Sequence, residues 1–176
     1  MATSNRPFIN VDLFTDAYRV TGRVAASSGG LVTELNNSNT DFLDLEDAYV
    51  SRVHEPGKII ANYSLASFRK QNINFIVLSD RREGLSLGNL HSKSVYTRGR
   101  PIQVFLTVPS FEVHGEVMYE VKASPSNIML AIPGQYQPIF AATASASLYP
   151  DIAYNGDLIL VHKTAIGIFC LSLNKN

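Results

Sequence analysis

The chain has 176 residues, a formal net charge of zero, 45% hydrophobic and 17% charged side chains, and one cysteine. The balanced charge and a pI near 6.9 argue against a strongly basic nucleic-acid binder. A single cysteine, Cys170, excludes an intrachain disulfide and any multi-cysteine metal site. The N-terminal residues carry no apolar leader, and no stretch approaches the ~18 apolar residues of a membrane helix. The expected location is therefore the cytoplasm, with no membrane partner.

In chain order the pattern is β. Ile9–Phe14 and Tyr18–Ala25 alternate apolar and polar residues, which predicts two strands around a Thr15-Asp16-Ala17 turn. Gly22 lies inside the second strand and predicts a sharp bend or a close backbone approach. Leu31–Asn36 reads as a short helix or a loop, between Ser/Gly-rich and Asn-rich loop segments. Phe42–Val53 predicts a strand with Leu43, Leu45, Asp47 and Tyr49 on one face and Phe42, Asp44, Glu46 and Ala48 on the other. Ile59–Arg69 and Ile73–Leu78 follow, joined by a tight Lys70-Gln71-Asn72 turn.

Residues 81–100 lack hydrophobic periodicity and carry Arg81, Arg82, Lys93, Arg98 and Arg100 against Glu83, which predicts a basic connector. The opening hairpin then returns 93 positions later. Val11–Val24 matches Val104–Val117, with Gly115 in the place of Gly22. Lys70–Leu78 matches Lys163–Leu171 at the same offset. Two matches in register across equal spans predict an internal duplication. Ile139–Leu148, Asp157–His162 and Ile166–Leu173 complete about five strands in the second copy. Cys170 takes the place of Val77 and is expected to be a small core residue.

Five short, bent strands around a small core describe an SH3-like or Sm-like barrel. The predicted architecture is all-β: two tandem five-stranded Sm-like/SH3-like barrels from an internal duplication. Residues 8–80 form the first module, 81–100 a basic linker and 101–176 the second module.

The segment Phe68-Arg69-Lys70-Gln71-Asn72-Ile73-Asn74-Phe75-Ile76 resembles the second motif of Sm-like proteins, and the opening hairpin resembles the first. The "YRVTGRV…FLDLEDAYV" style of sequence also resembles bacterial domains of this type. Lys70 and Lys163 stand where the Sm pattern has glycine, and the usual N-terminal helix is missing. The resemblance implies assembly of modules through edge strands. It also implies an RNA-binding alternative, in which Asn36, Asn37, Arg69 and Lys70 stand in for the base-cradling residues of the first module. In the second module His162 replaces Arg69.

Side chains that carry chemistry are scattered. The acidic residues Asp41, Asp44, Glu46 and Asp47 divide between two strand faces. His54, His91, His114 and His162 show no metal-ligand spacing and read as surface residues. There is no nucleophile elbow and no phosphate loop. Tyr18, Phe42, Phe75, Phe111 and Phe169 sit in apolar strand register and are expected in the core, whereas Tyr136 and Tyr149 read as exposed loop residues. The pattern points to no catalytic, cofactor or metal site. It points to a non-enzymatic structural protein that assembles with itself, into a trimer giving a six-module ring, a layer or a filament.

Overall fold

The computed structural model describes residues 6–85, 96–120, 122 and 124–172. The first half contributes β1 (Phe8–Phe14), β2 (Tyr18–Ala25), β3 (Phe42–Arg52), β4 (Glu55–Arg69) and β5 (Phe75–Leu78). The second half contributes β6 (Arg100–Val108), β7 (Phe111–Tyr119), β8 (Tyr136–Ala146), β9 (Tyr149–His162) and β10 (Ile168–Ser172). Short helices span Leu31–Asn36 (α1), Arg81–Gly84 (α2) and Pro125–Ala131 (α3).

All ten strands join one antiparallel sheet in the order β10-β6-β7-β8-β9-β5-β1-β2-β3-β4, which is not closed into a barrel. The strand orders β5-β1-β2-β3-β4 and β10-β6-β7-β8-β9 repeat one another. The connection between the halves is the β5–β9 pair, where Phe75, Ile76, Val77 and Leu78 lie opposite Val161, Leu160, Ile159 and Leu158.

The repeat extends to backbone detail. The register of β2 on β3 shifts between Thr21 and Arg23, and that of β7 on β8 between His114 and Glu116. Asp47 and Ala141 occupy matching places in the facing strands, and both have positive φ (50° and 45°). These are bulges, in which one extra residue kinks the strand and tightens its twist. The glycines let the facing strand approach closely, more tightly at Gly115 than at Gly22. A Cβ on Gly22 would lie 3.0 Å from the Glu46 carbonyl oxygen, and one on Gly115 would lie 2.8 Å from that of Phe140.

The bulge also corrects the predicted faces of β3. Leu43 and Leu45 are buried, but Asp47 adds a residue, so beyond it Ala48 is buried and Tyr49 exposed. One inserted residue exchanges the two faces of the strand beyond it.

Two hydrophobic cores lie on opposite faces of the junction. The first gathers Val11, Leu13, Leu31, Leu35 and Leu45, and the second gathers Val104, Leu106, Phe111 and Val113. Each half lends residues to the other. Phe14 and Phe75 of the first half stack at 4.3 Å and meet Phe111 edge-on, inside the second core. Tyr136, Phe140, Leu158 and Leu160 of the second half complete the first core.

The α3 helix was not among the predicted elements, although its start is legible. Ser124 accepts a hydrogen bond from the Asn127 N–H at 3.2 Å, and Pro125 follows it in the first turn. Among the described residues no helix is long and apolar enough to cross a membrane.

Candidate assembly interface

The junction between β5 and β9 is a complete example of two halves meeting edge to edge. Side chains alternate across it. Ile76, Leu78, Leu158 and Leu160 face the first core, while Phe75, Val77, Ile159 and Val161 face the second. Backbone and polar groups close its ends. His162 N–H donates to the Asn74 carbonyl at 2.9 Å, and the Tyr136 hydroxyl donates to the Lys70 carbonyl at 3.0 Å. Arg81, from α2, holds the Asp157 carboxylate through its backbone N–H at 3.0 Å and its Nε at 2.9 Å. That hydrogen bonding lowers the Asp157 pKa and raises that of Arg81. Gly84 brings α2 against the junction, since a Cβ there would overlap Leu158 and Leu78.

The two outer edges of the sheet lack such partners among the described residues. β4 has Ile59, Ile60, Tyr63 and Leu65 exposed, the last at 62%. β10 alternates exposed and half-buried residues, with Ile168 at 55%. Cys170 is exposed, which corrects the expectation of a core residue. Its repeat counterpart Val77 is only 8% exposed because β9 lies beside β5, whereas among the described residues no strand pairs with the outer edge of β10.

The same reason corrects two aromatics. Phe42, expected in the core, is 47% exposed beside the free edge, with the Arg69 guanidinium 4.9 Å above its ring. Its structural counterpart Tyr136, expected in an exposed loop, is fully buried at the junction, with the His162 ring 4.9 Å away. Tyr18, also expected in the core, is exposed, whereas Phe75 and Phe111 are buried as expected and Phe169 is partly buried. Tyr149 is exposed as expected, though it begins β9 rather than lying in a loop.

The structure brings two of the four residues named for RNA together and separates the others. Lys70 is buried, and its ammonium donates to the Asn37 carbonyl at 2.9 Å and the Thr40 hydroxyl at 3.1 Å. Asn36 points to the second half, where its Oδ1 accepts from the Gln135 N–H at 2.9 Å. Arg69 stays on the Phe42 ring. Lys163 repeats the arrangement of Lys70 by donating to the Ile132 carbonyl at 2.6 Å.

Asn37 and Ile132 are the C-cap residues of α1 and α3, so each turn lysine ties down a helix end. Glycine at these positions would leave that role unfilled. Burial lowers the pKa of both lysines.

His162 is buried rather than on the surface, contrary to the expectation for it. Its Nε2 lies 3.2 Å from Gln135 Oε1 and its Nδ1 2.6 Å from the Thr164 hydroxyl; with the proton on Nε2 the ring donates to the first and accepts from the second. Burial lowers its pKa. The acidic residues of β3 are engaged locally. Asp47 and Glu46 meet Arg23 at 2.6 and 3.5 Å, and Asp44 accepts from Ser67. In the basic connector, Arg82 holds the Asp80 carboxylate and lowers its pKa to about 2. Lys93 and His91 lie outside the described residues. No group of three or more His, Cys, Asp or Glu side chains suited to a metal ion occurs among the described residues.

A cleft of about 450 Å³ separates the β1–β2 and β3–β4 turns from the second half, lined by Tyr18, Arg52, His54, Leu148 and Tyr149. Among the described residues that line it, no ionisable side chain is buried. No family model, no curated protein and no solved structure matches the chain.

Proposed function

We propose that this chain is a non-enzymatic structural protein that assembles with copies of itself, each half acting as a five-stranded module of the Sm-like or SH3-like barrel type. The observation that carries the reading is the pair of unequal edges. β4 runs for 15 residues with apolar side chains in solvent, while its repeat counterpart β9 is covered by β5. An exposed edge strand presents unpaired backbone N–H and C=O groups to another chain. The two free edges differ, so the contact is heterologous. It closes into a ring, as three chains with six modules would, or continues as a filament.

The internal bonds of Asn36 and Lys70 favour this reading over RNA contact, because both side chains already serve the fold. Size-exclusion chromatography with light scattering across a dilution series tests it. The expected result is a mass that rises with concentration in the micromolar range. A strictly monomeric species throughout that range overturns the proposal.

A further inference from the structure

The β5–β9 junction repeats itself at the free edges, and from it we infer which second copy of this chain binds, where, and in what register. β10 of one copy pairs antiparallel with β4 of the next. Ile168 lies opposite Phe68, Phe169 opposite Ser67, Cys170 opposite Ala66 and Leu171 opposite Leu65. The inference rests on the assembly reading above and gives it an interface.

The derivation uses the offset of 93 that relates β4 to β9 and β5 to β10. Applied to the observed pairs Phe75–Val161, Ile76–Leu160, Val77–Ile159 and Leu78–Leu158, it yields the four inter-chain pairs with no free choice. The faces agree independently. In the junction, Ile159 and Val161 of β9 face their own half's core, and so do Ile76 and Leu78 of β5. Their counterparts Ala66 and Phe68 pack on the first core, and Phe169 and Leu171 pack on the second. The side chains left over are Leu65, Ser67, Ile168 and Cys170. These are the counterparts of the residues that cross the junction into the other half's core. Phe42, counterpart of Tyr136, is left for the Lys163 turn of the next copy, as Tyr136 sits on the Lys70 turn.

The inter-chain joint is the weaker of the two. Ser67 and Cys170 replace Leu160 and Val77, and Thr107 replaces Phe14. Less apolar area leaves water, so association is reversible where the junction within the chain is permanent.

Cysteine cross-linking tests the register. His162 and Asn74 form a hydrogen-bonded pair, and alternation along the ladder makes Val77–Ile159 a non-hydrogen-bonded one. The Cys170–Ala66 pair inherits that type, whose Cα atoms lie about 4.5 Å apart, within reach of a disulfide. Mild oxidation of the full chain carrying Ala66→Cys is therefore expected to give a covalent ladder beyond the dimer. The ladder is lost when Cys170→Ser is added. The wild-type chain, with one cysteine, can reach only a covalent dimer.

Ser67→Cys and Leu65→Cys point to the other face of β4 and are expected to give no ladder. A ladder of equal yield from Ser67→Cys overturns the register. So does the absence of any ladder in a sample that light scattering shows to be assembled; both results leave self-assembly standing. A sample that light scattering shows to be monomeric overturns the register and the assembly reading together.

Discussion

β4 and β9 are the same strand of the repeat in opposite surroundings. From Leu158 to His162, β9 is buried, while the matching stretch of β4, Leu65 to Arg69, is exposed or partly exposed. The residues beyond the shared leucine differ as the surroundings do: Ile159, Leu160 and Val161 against Ala66, Ser67 and Phe68. β5 and β10 repeat the lesson, with Phe75 and Val77 buried where Ile168 and Cys170 are exposed. A strand's place at an edge, more than its own composition, decides whether its apolar residues form core or surface.

The comparison breaks most sharply at matched leucines. Leu158→Ala opens a cavity in the shared core and is expected to cost about 2–5 kcal/mol. Leu65→Ala at the same repeat position is expected to stay within about 0.5 kcal/mol while the chain is dilute. Urea unfolding of both variants at low concentration measures the difference. Equal losses would mean that β4 is covered as β9 is.

A smaller contrast lies at the bulge glycines. Gly115→Ala places a Cβ 2.6 Å from an Ile139 methyl and 2.8 Å from the Phe140 carbonyl, so backbone must shift, at about 1–3 kcal/mol. Gly22→Ala meets its neighbours at 3.0 and 3.1 Å. Its strain is offset by the lower entropy of the unfolded chain, about 0.4–1 kcal/mol, and the net change is expected near zero. Thermal unfolding of the two variants ranks them.

The subtlest contrast is His162 against Arg69, since arginine holds its charge at every working pH. His162 has a folded pKa below its ordinary value of 6.5. The unfolded chain therefore takes up the proton first as pH falls. Stability from the neutral ring is complete above pH 6.5 and is lost as pH drops from there through the folded pKa. His162→Gln is expected to flatten that part of the stability profile, measured by denaturant unfolding across mildly acidic pH. An unchanged slope would place the titration elsewhere.

Much of the fold was legible from alternation and repetition. The strands of both hairpins, the lysine turns and the roles of Gly22 and Gly115 follow from local pattern, because a glycine inside an apolar strand has few other uses. The α3 helix carried a readable Ser-Pro start and was missed because its seven residues show no apolar stripe. Phe42, Tyr136 and Cys170 were misplaced for one shared reason. Each lies on or beside the outermost strand of its half, and pairing partners far apart in sequence determine what covers that strand. Lys70 is named from the sequence as a turn residue and a possible RNA contact, yet its ammonium closes a helix end 33 residues upstream.

The sequence by itself determined the β character, the duplication and the turns, because strand alternation and glycine requirements act over a few residues. Only the tertiary structure decided that the two halves join into one continuous sheet, and which edges that leaves open. Each half presents equivalent edges, and local pattern is silent on which of them meet within a chain. Pairing β5 with β9 buries apolar side chains in two cores at once, and it leaves β4 and β10 at opposite ends of the sheet.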